Sequence, residues 1–148
     1  MSVPLDDGFL RRECPNCKRE FKWHEEPTDD RPDNAVNPPM YYCPYCGTAA
    51  GPDEWWTEAQ LDYAEAMAAG PALREMAEQM RQTLRPMNRG MIKLSVDQPD
   101  EPEPPDPLVE PNDMVAVASP CHPWEPIKVT EDWQESIHCL VCGTEFRV

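Results

Sequence analysis

Six of the seven cysteines in this 148-residue chain occur as Cys-x-x-Cys pairs, and this spacing limits what the chain can fold into. The pairs begin at Cys14, Cys43 and Cys139, and the seventh cysteine is Cys121. An odd number of cysteines in close pairs does not suit a disulfide framework, whereas two thiolates on one tight turn suit a metal ion. The spacing therefore predicts metal binding in a reducing compartment.

Composition indicates that hydrophobic burial alone does not stabilise this chain. It contains 19 prolines and has a mean hydropathy of -0.70, which leaves little apolar material for one continuous core. A chain with so small a core needs another source of stability, and a bound metal is one such source. The sequence therefore predicts a small, metal-stabilised α+β protein.

The first two pairs together provide a complete set of metal ligands, namely Cys14, Cys17, Cys43 and Cys46. Zinc takes four such ligands at tetrahedral angles, with each sulfur about 2.3 Å from the metal, so we predict a closed four-cysteine zinc site. Iron stays an alternative because soft thiolates accept either metal. The proline- and acid-rich residues 25–39 between the two pairs are predicted to form a surface loop.

The residues around these pairs resemble those of zinc-ribbon proteins. Cys43-Pro-Tyr-Cys-Gly is similar to the rubredoxin-type turn of that family, and Cys14-Pro-Asn-Cys is similar to the first half of its site. The resemblance covers residues 10–48 and implies an antiparallel sheet held by zinc. The segment that starts at Cys14 also matches the segment that starts at Cys139 in spacing and character, which predicts a second ribbon-like module.

A second zinc site is predicted near the C-terminus from Cys121, Cys139 and Cys142. Three thiolates favour a histidine nitrogen as the fourth ligand, and the two candidates are His122 and His138. We favour His122 because it lies in the half of the site that has a single cysteine, whereas strand alternation should turn the His138 side chain away. A metal-free second site stays an alternative. His24 has no nearby cysteine and is expected to be an ordinary surface residue.

The organisation along the chain follows from changes in the sequence pattern. A helical pattern begins after Asp53, the expected cap, and is interrupted at Gly70-Pro71, which predicts a helical hairpin or a kinked pair of helices. We interpret a later proline- and acid-rich segment as a solvated spacer, with an acidic docking tail as the alternative. The predicted parts are a zinc ribbon at residues 1–50, two helices packed on it at residues 51–90, a short strand at residues 91–96, an acidic linker at residues 97–113, and a ribbon-like module at residues 114–148.

Two sets of apolar side chains have more than one interpretation. The helical stripe that includes Met76 and Met80 either packs on the first ribbon or binds a partner. The tryptophans either cover the metal sites or anchor an interface, because tryptophan is costly to expose on a small domain. These residues are Trp23, Trp55, Trp56, Trp124 and Trp133.

These features favour a non-catalytic protein that binds another protein. The four cysteines of the first site leave no position for a reacting water, and no pocket-sized domain surrounds the second site. Redox-active pairs need a helix start that is not predicted here. The net charge of -15 disfavours nucleic acid as a partner. One alternative is a nucleic-acid-associated ribbon of the transcription or translation machinery, supported by a basic cluster of Arg11, Arg12, Lys18, Arg19 and Lys22. That cluster could also be an intramolecular partner for the acidic linker, and a further alternative is an acidic mimic of nucleic acid.

The sequence has no pattern typical of a secreted or membrane-spanning protein. The first residues do not combine a basic region with an apolar run, and no segment approaches the length needed to span a bilayer. We therefore expect a soluble cytoplasmic protein.

Overall fold

The computed structural model describes residues 3–85 and 103–148. Within these residues the chain forms eight strands and one helix. They are β1 (Phe9–Glu13), β2 (Glu20–His24), β3 (Tyr41–Tyr42), β4 (Ala49–Ala50), α1 (Glu58–Leu84), β5 (Met114–Val117), β6 (Ile127–Thr130), β7 (Ile137–His138) and β8 (Glu145–Phe146). The described parts of Ser2–Gln60 and Leu108–Val148 form one compact unit, and those of Leu61–Pro107 form another.

A four-stranded antiparallel sheet in the order β1-β2-β6-β5 forms the centre of the first unit. β2 and β6 are adjacent in this sheet and pair Trp23 with Ile127. The sheet thus joins strands from residues 1–50 and 114–148, which differs from the two separate modules that the sequence predicted. The physical reason is that a two-stranded hairpin is marginally stable alone, whereas four strands can share one core.

The order of the strands repeats along the chain. β1 and β2 flank the first cysteine pair, and the short hairpin β3-β4 flanks the second. β5 and β6 then flank Cys121, and the short hairpin β7-β8 flanks the last pair. The first unit is therefore built from two halves of similar design, with β2 and β6 as equivalent central strands.

The hydrophobic core includes one face of the four-stranded sheet, where alternate side chains point the same way. Phe21, Trp23, Ile127 and Val129 belong to this core together with Trp55. The Phe21 and Trp55 rings meet edge to face with centroids 5.7 Å apart, and both side chains are fully buried. Trp23 and Trp55 are therefore core residues.

The other face of the sheet carries a cluster of charges. Lys22 and Lys128 pair directly across β2 and β6, and Lys22 is fully buried. Both ammonium groups donate to Asp6 Oδ2, at 3.0 Å from Lys22 and 2.7 Å from Lys128. Glu110 and Asp113 lie 2.9 and 3.2 Å from Lys22 Nζ. The end of the predicted acidic linker therefore folds onto the sheet instead of forming a solvated spacer.

Arg11 belongs to the same charge cluster. Its guanidinium forms ion pairs with Glu20 at 2.8 Å, with Glu110 at 2.9 Å and with Asp113 at 2.6 Å. Arg11 and Lys22 were both part of the basic cluster that supported nucleic-acid binding. Their partners are acids of the chain itself, as the intramolecular interpretation of that cluster expected.

α1 is one continuous helix, whereas the sequence predicted two. Thr57 and Gln60 form a capping box at its start, in which each backbone N–H donates to the other side chain at 3.1 Å. Asp53, the predicted cap, lies before this box and outside the helix. Pro71 lies inside α1, where it removes one helical hydrogen bond, and the many alanine, methionine and glutamate residues around it favour continuing the helix. The helical-hairpin prediction is therefore wrong.

Methionine side chains along α1 are exposed, including Met76 and Met80 of the predicted apolar stripe. The exposed fraction is 41% for Met67, 59% for Met76 and 54% for Met80. Scattered exposed apolar side chains are common on protein surfaces, and nine residues separate Met67 from Met76, which places them on opposite faces of the helix.

Several predictions concern residues outside the described ranges. The strand predicted at residues 91–96 lies there, as do residues 97–102 of the acidic linker and residues 86–90 of the second helix. Within residues 3–85 and 103–148, no helix is long and apolar enough to pass through a bilayer.

Candidate metal centre

The three Cys-x-x-Cys turns share one backbone conformation. In each turn the residue after the second cysteine donates its N–H to the carbonyl oxygen of the first cysteine, at 2.9 to 3.0 Å. These donors are Lys18, Gly47 and Gly143, and their φ angles of 62°, 74° and 75° lie in the left-handed region. This bend turns both cysteine side chains of a pair toward one point, as a metal-binding turn requires.

The first two turns bring four thiols together. The sulfur atoms of Cys14, Cys17, Cys43 and Cys46 all lie within 4.8 Å of one another. The Cys14 and Cys46 sulfurs are 3.6 Å apart, and the Cys17 and Cys43 sulfurs are 3.8 Å apart. A tetrahedron with metal–sulfur bonds of about 2.3 Å has sulfur–sulfur edges of about 3.8 Å, whereas a disulfide bond is only about 2.05 Å long. All four cysteines are free, and their arrangement fits one tetrahedral metal ion.

Backbone and hydroxyl groups surround the sulfurs of this first group. The N–H groups of Asn16 and Cys17 approach the Cys14 sulfur at 3.4 Å, and the Thr48 hydroxyl lies 3.2 Å from the Cys46 sulfur. Burial alone would raise the pKa of Cys46, but its hydrogen bonds with Thr48 lower that pKa to about 6. Burial raises the pKa of Cys43 well above its ordinary value. A bound dication would favour the thiolate form of both groups.

The last turn brings a second group of ligands together. The ligand atoms of Cys121, His122, Cys139 and Cys142 all lie within 4.8 Å of one another. The Cys121 and Cys142 sulfurs are 3.4 Å apart, and the Cys139 sulfur is 3.4 Å from His122 Nδ1. This group of three thiols and one imidazole could hold a second metal ion.

The other two histidines lie elsewhere. His138 Nδ1 is 3.3 Å from the carbonyl oxygen of Pro44, and its ring packs against Gly47 in the turn of the first group. His24 contacts the carbonyl oxygen of Glu26 through Nδ1, and its ring meets Phe9. Neither residue joins a group of metal ligands within the described chain.

Ser119 is a residue of the second group that the sequence reasoning missed. Its hydroxyl oxygen lies 3.2 Å from the Cys139 sulfur and accepts a hydrogen bond from the His122 backbone N–H at 3.1 Å. The Ser-Pro-Cys-His order contained a usable signal, because a serine hydroxyl often accepts from a backbone N–H further along a turn. Ser119 thereby supports the one turn that has no second cysteine.

The two metal-binding groups are directly connected through their turns. Tyr42, which precedes the second cysteine pair, donates its N–H to the carbonyl oxygen of Leu140 at 2.9 Å. His138, which precedes the last pair, donates its N–H to the carbonyl oxygen of Pro44, also at 2.9 Å. Each turn thus completes the backbone hydrogen bonding of the other.

The rings of Tyr42 and His138 also pack across this connection, each against the glycine of the other turn. A Cβ atom placed on Gly143 would lie 2.7 Å from the Tyr42 ring, and one placed on Gly47 would lie 3.0 Å from the His138 ring. Each glycine is therefore required both by its positive φ and by the aromatic ring that lies against it.

Changing Gly143 to alanine is expected to lower the free energy of unfolding by about 2–4 kcal/mol. An alanine in the left-handed region costs roughly 1–2 kcal/mol, and the clash with Tyr42 adds a similar overpacking penalty. Urea denaturation of the metal-loaded protein measures the change. Gly51→Ala is the matched control, because a Cβ at Gly51 meets only the Glu54 carboxylate at an ordinary 3.4 Å. A loss for Gly143→Ala no larger than that of the control would contradict this packing.

Comparisons with known proteins leave the family of this chain open. No protein-family model matches the chain, and neither a curated protein nor a solved structure matches it. The two groups of metal-binding residues are consistent with zinc-ribbon-like modules.

Proposed function

We propose that this chain is a non-catalytic zinc protein in which two structural zinc ions organise a surface that binds another protein. One observation carries the proposal: in each group, four protein ligand atoms lie within 4.8 Å of one another. Structural zinc sites are closed in this way, whereas catalytic sites use three protein ligands and leave the fourth position to water or substrate.

Zinc suits both sets of ligands. Four thiolates, or three thiolates with one imidazole, are common structural zinc shells. Four thiolates also accept iron, so metal analysis of the first group separates the two metals. Zinc is not redox-active, which fits a structural role, and free thiols fit a reducing compartment such as the cytoplasm.

A protein is a better candidate partner than nucleic acid. Of the five residues in the predicted basic cluster, Arg11 and Lys22 pair with acids of the chain. Arg12 is buried, whereas Lys18 and Arg19 are exposed, and the Arg19 guanidinium lies over the Trp133 ring at 4.9 Å. Two exposed cations in a chain of net charge -15 form a poor phosphate-binding surface.

The metal content of the purified protein tests this proposal. We expect two zinc ions per chain by native mass spectrometry, and one in His122→Ala, because that change removes the fourth ligand of the second group. His138→Ala is the matched control and should retain two zinc ions, since His138 lies against Gly47 and not beside the cysteines of the second group.

The opposite outcome would be equally clear. A second zinc ion lost from His138→Ala but kept in His122→Ala would overturn the assigned ligand set. Fewer than two metal ions in the unchanged protein would overturn the proposal of two structural sites.

A further inference from the structure

A cleft of about 460 Å³ lies in the first unit, away from the cysteine side chains. Its aromatic lining includes Trp23, Tyr41 and Trp56, and the Arg12 side chain also lines it. The Trp23 and Tyr41 ring centroids are 4.8 Å apart. We call this feature the Arg12 cleft.

Arg12 lacks the hydrogen-bond acceptors that a buried guanidinium needs. It is 4% exposed and lies between the rings of Trp23 and Trp56, 4.3 and 4.4 Å from their centroids. Its nearest carboxylate among the described residues is Glu25, at 3.9 Å, which is too far for a hydrogen bond. Nε and Nη1 have no hydrogen-bond partner in the described part of the chain. Leaving a buried donor without an acceptor is costly, so an occupant that supplies an oxygen would be stabilised.

Acids outnumber bases around the cleft. Four carboxylates line it, against two arginines and one histidine; these residues are Glu25, Glu26, Asp53, Glu125, Arg12, Arg31 and His24. The lining therefore favours a positively charged occupant, and the net charge of -15 attracts one.

The second arginine of the cleft, Arg31, is already engaged. It donates to the Ala35 carbonyl oxygen at 3.3 Å and to Asn37 Oδ1 at 2.9 Å. It also lies 3.7 Å from Glu125, so it neutralises only part of the acidic lining.

The loop at residues 25–39 forms one wall of the cleft. Pro27, Arg31, Asn37 and Pro38 all line it. The two cysteine turns of the first group need a connection, but they do not need one of this length, and long ordered loops commonly bind ligands. The extra residues between Cys17 and Cys43 thus form part of the wall of the cleft.

We propose that the Arg12 cleft binds a peptide segment of a partner protein that carries a lysine or arginine side chain. The cationic group is recognised by the carboxylates and by the faces of Tyr41 and Trp56, while a backbone carbonyl oxygen of the peptide accepts from Arg12. A peptide provides both groups within one residue, whereas a simple cation provides only the charge. This assignment rests on the proposed role in binding a protein, and it names the surface and the chemistry of the partner.

The test is an NMR titration of the zinc-loaded full chain that follows the tryptophan indole N–H signals. The probe is a blocked pentapeptide with lysine between pairs of glycines, and the comparison peptide has glutamine in place of lysine. We expect saturable shifts of the Trp23 and Trp56 signals with the lysine peptide, and binding at least fivefold weaker with the glutamine peptide. Butylammonium, which carries the charge without a carbonyl group, should also bind at least fivefold more weakly.

Two charge variants assign the site. Glu125→Gln and Asp53→Asn should each weaken binding of the lysine peptide at least threefold, and using both keeps the test valid if one variant folds poorly. Glu131→Gln, at an exposed glutamate outside the cleft, should bind as the unchanged protein does. Equal binding of the two peptides, or equal effects of the cleft variants and the control, would overturn the assignment.

The same samples separate this inference from the proposed function. Two zinc ions per chain with no shift of Trp23 or Trp56 would overturn the cleft assignment and leave the structural zinc proposal intact. Shifts confined to other tryptophans would also overturn the cleft assignment. They would leave intact the proposal that the chain binds another protein. Fewer than two zinc ions would count against the proposed function itself.

Discussion

Replacing Cys43 by serine is expected to leave the chain with at most one metal ion and without a cooperative unfolding transition. Cys43 is fully buried, and its sulfur faces that of Cys17 at 3.8 Å. Structural zinc sites contribute an apparent binding free energy of about 10–16 kcal/mol, which is comparable to the whole stability of a small domain, about 5–15 kcal/mol. Serine keeps the shape of the side chain but offers a poor zinc ligand, so most of this contribution is lost.

Cys43→Ser is also expected to weaken metal binding by the second group. Tyr42 N–H and the Pro44 carbonyl oxygen, on either side of Cys43, both bond to the last turn. The remaining zinc ion should therefore be removed by a lower concentration of chelator than in the unchanged protein.

Native mass spectrometry gives the metal count, and circular dichroism during heating shows whether unfolding is cooperative. Val36→Ser is a suitable control because the residue lies in the loop before β3, away from the cysteine turn, and is 85% exposed. It should keep two metal ions and a melting temperature within a few degrees of the unchanged protein. A Cys43→Ser variant with two metal ions and an unchanged melt would show that the first group is not a structural metal site.

The two groups of metal-binding residues could be predicted from the sequence because the information is local. A Cys-x-x-Cys turn places two sulfurs by its own backbone geometry, and the glycine after Cys46 or Cys142 suits the left-handed residue that this turn requires. Lys18 occupies the same position in the first turn without being glycine, so the pattern of glycines alone would have missed that equivalence.

The pairing of β2 with β6 could not be read from the sequence in the same way. It joins Lys22 to Lys128, and like charges directly opposite each other are normally destabilising. The pairing is explained by Asp6, Glu110 and Asp113, which come from two other parts of the chain. The segment before β5 was interpreted as an acidic spacer from its composition. A pattern of prolines and acids does not reveal which cations those acids will pair with.

The continuity of α1 was missed for a different reason. Gly70-Pro71 is a strong local signal for a helix end, and a proline in a helix interior costs roughly 3 kcal/mol. The helix continues because that cost is spread over a segment of 27 residues that is rich in good helix formers. The Gly70-Pro71 dipeptide alone does not show whether its cost exceeds the helix propensity of the residues around it.

The charge cluster gives the second large expected effect: Lys22→Ala should lower the free energy of unfolding by about 3–5 kcal/mol, the range found when one partner of a buried ion pair is removed. Burial alone would lower the pKa of Lys22, but its hydrogen bonds to Glu110, Asp6 and Asp113 outweigh that effect and raise the pKa. The ammonium group is therefore charged at neutral pH, and its removal leaves the almost fully buried Glu110 carboxylate short of positive charge.

Urea denaturation of the zinc-loaded protein measures this loss against Lys18→Ala, an exposed lysine whose removal should change stability by no more than about 0.5 kcal/mol. The double variant Lys22→Met/Glu110→Gln removes both charges and should recover at least half of the loss, because a buried pair replaced by neutral groups costs far less than a pair that has been broken. A loss for Lys22→Ala equal to that of Lys18→Ala would mean that the ion pairs contribute little. In that case the contact between the acidic segment and the sheet would depend on apolar packing instead.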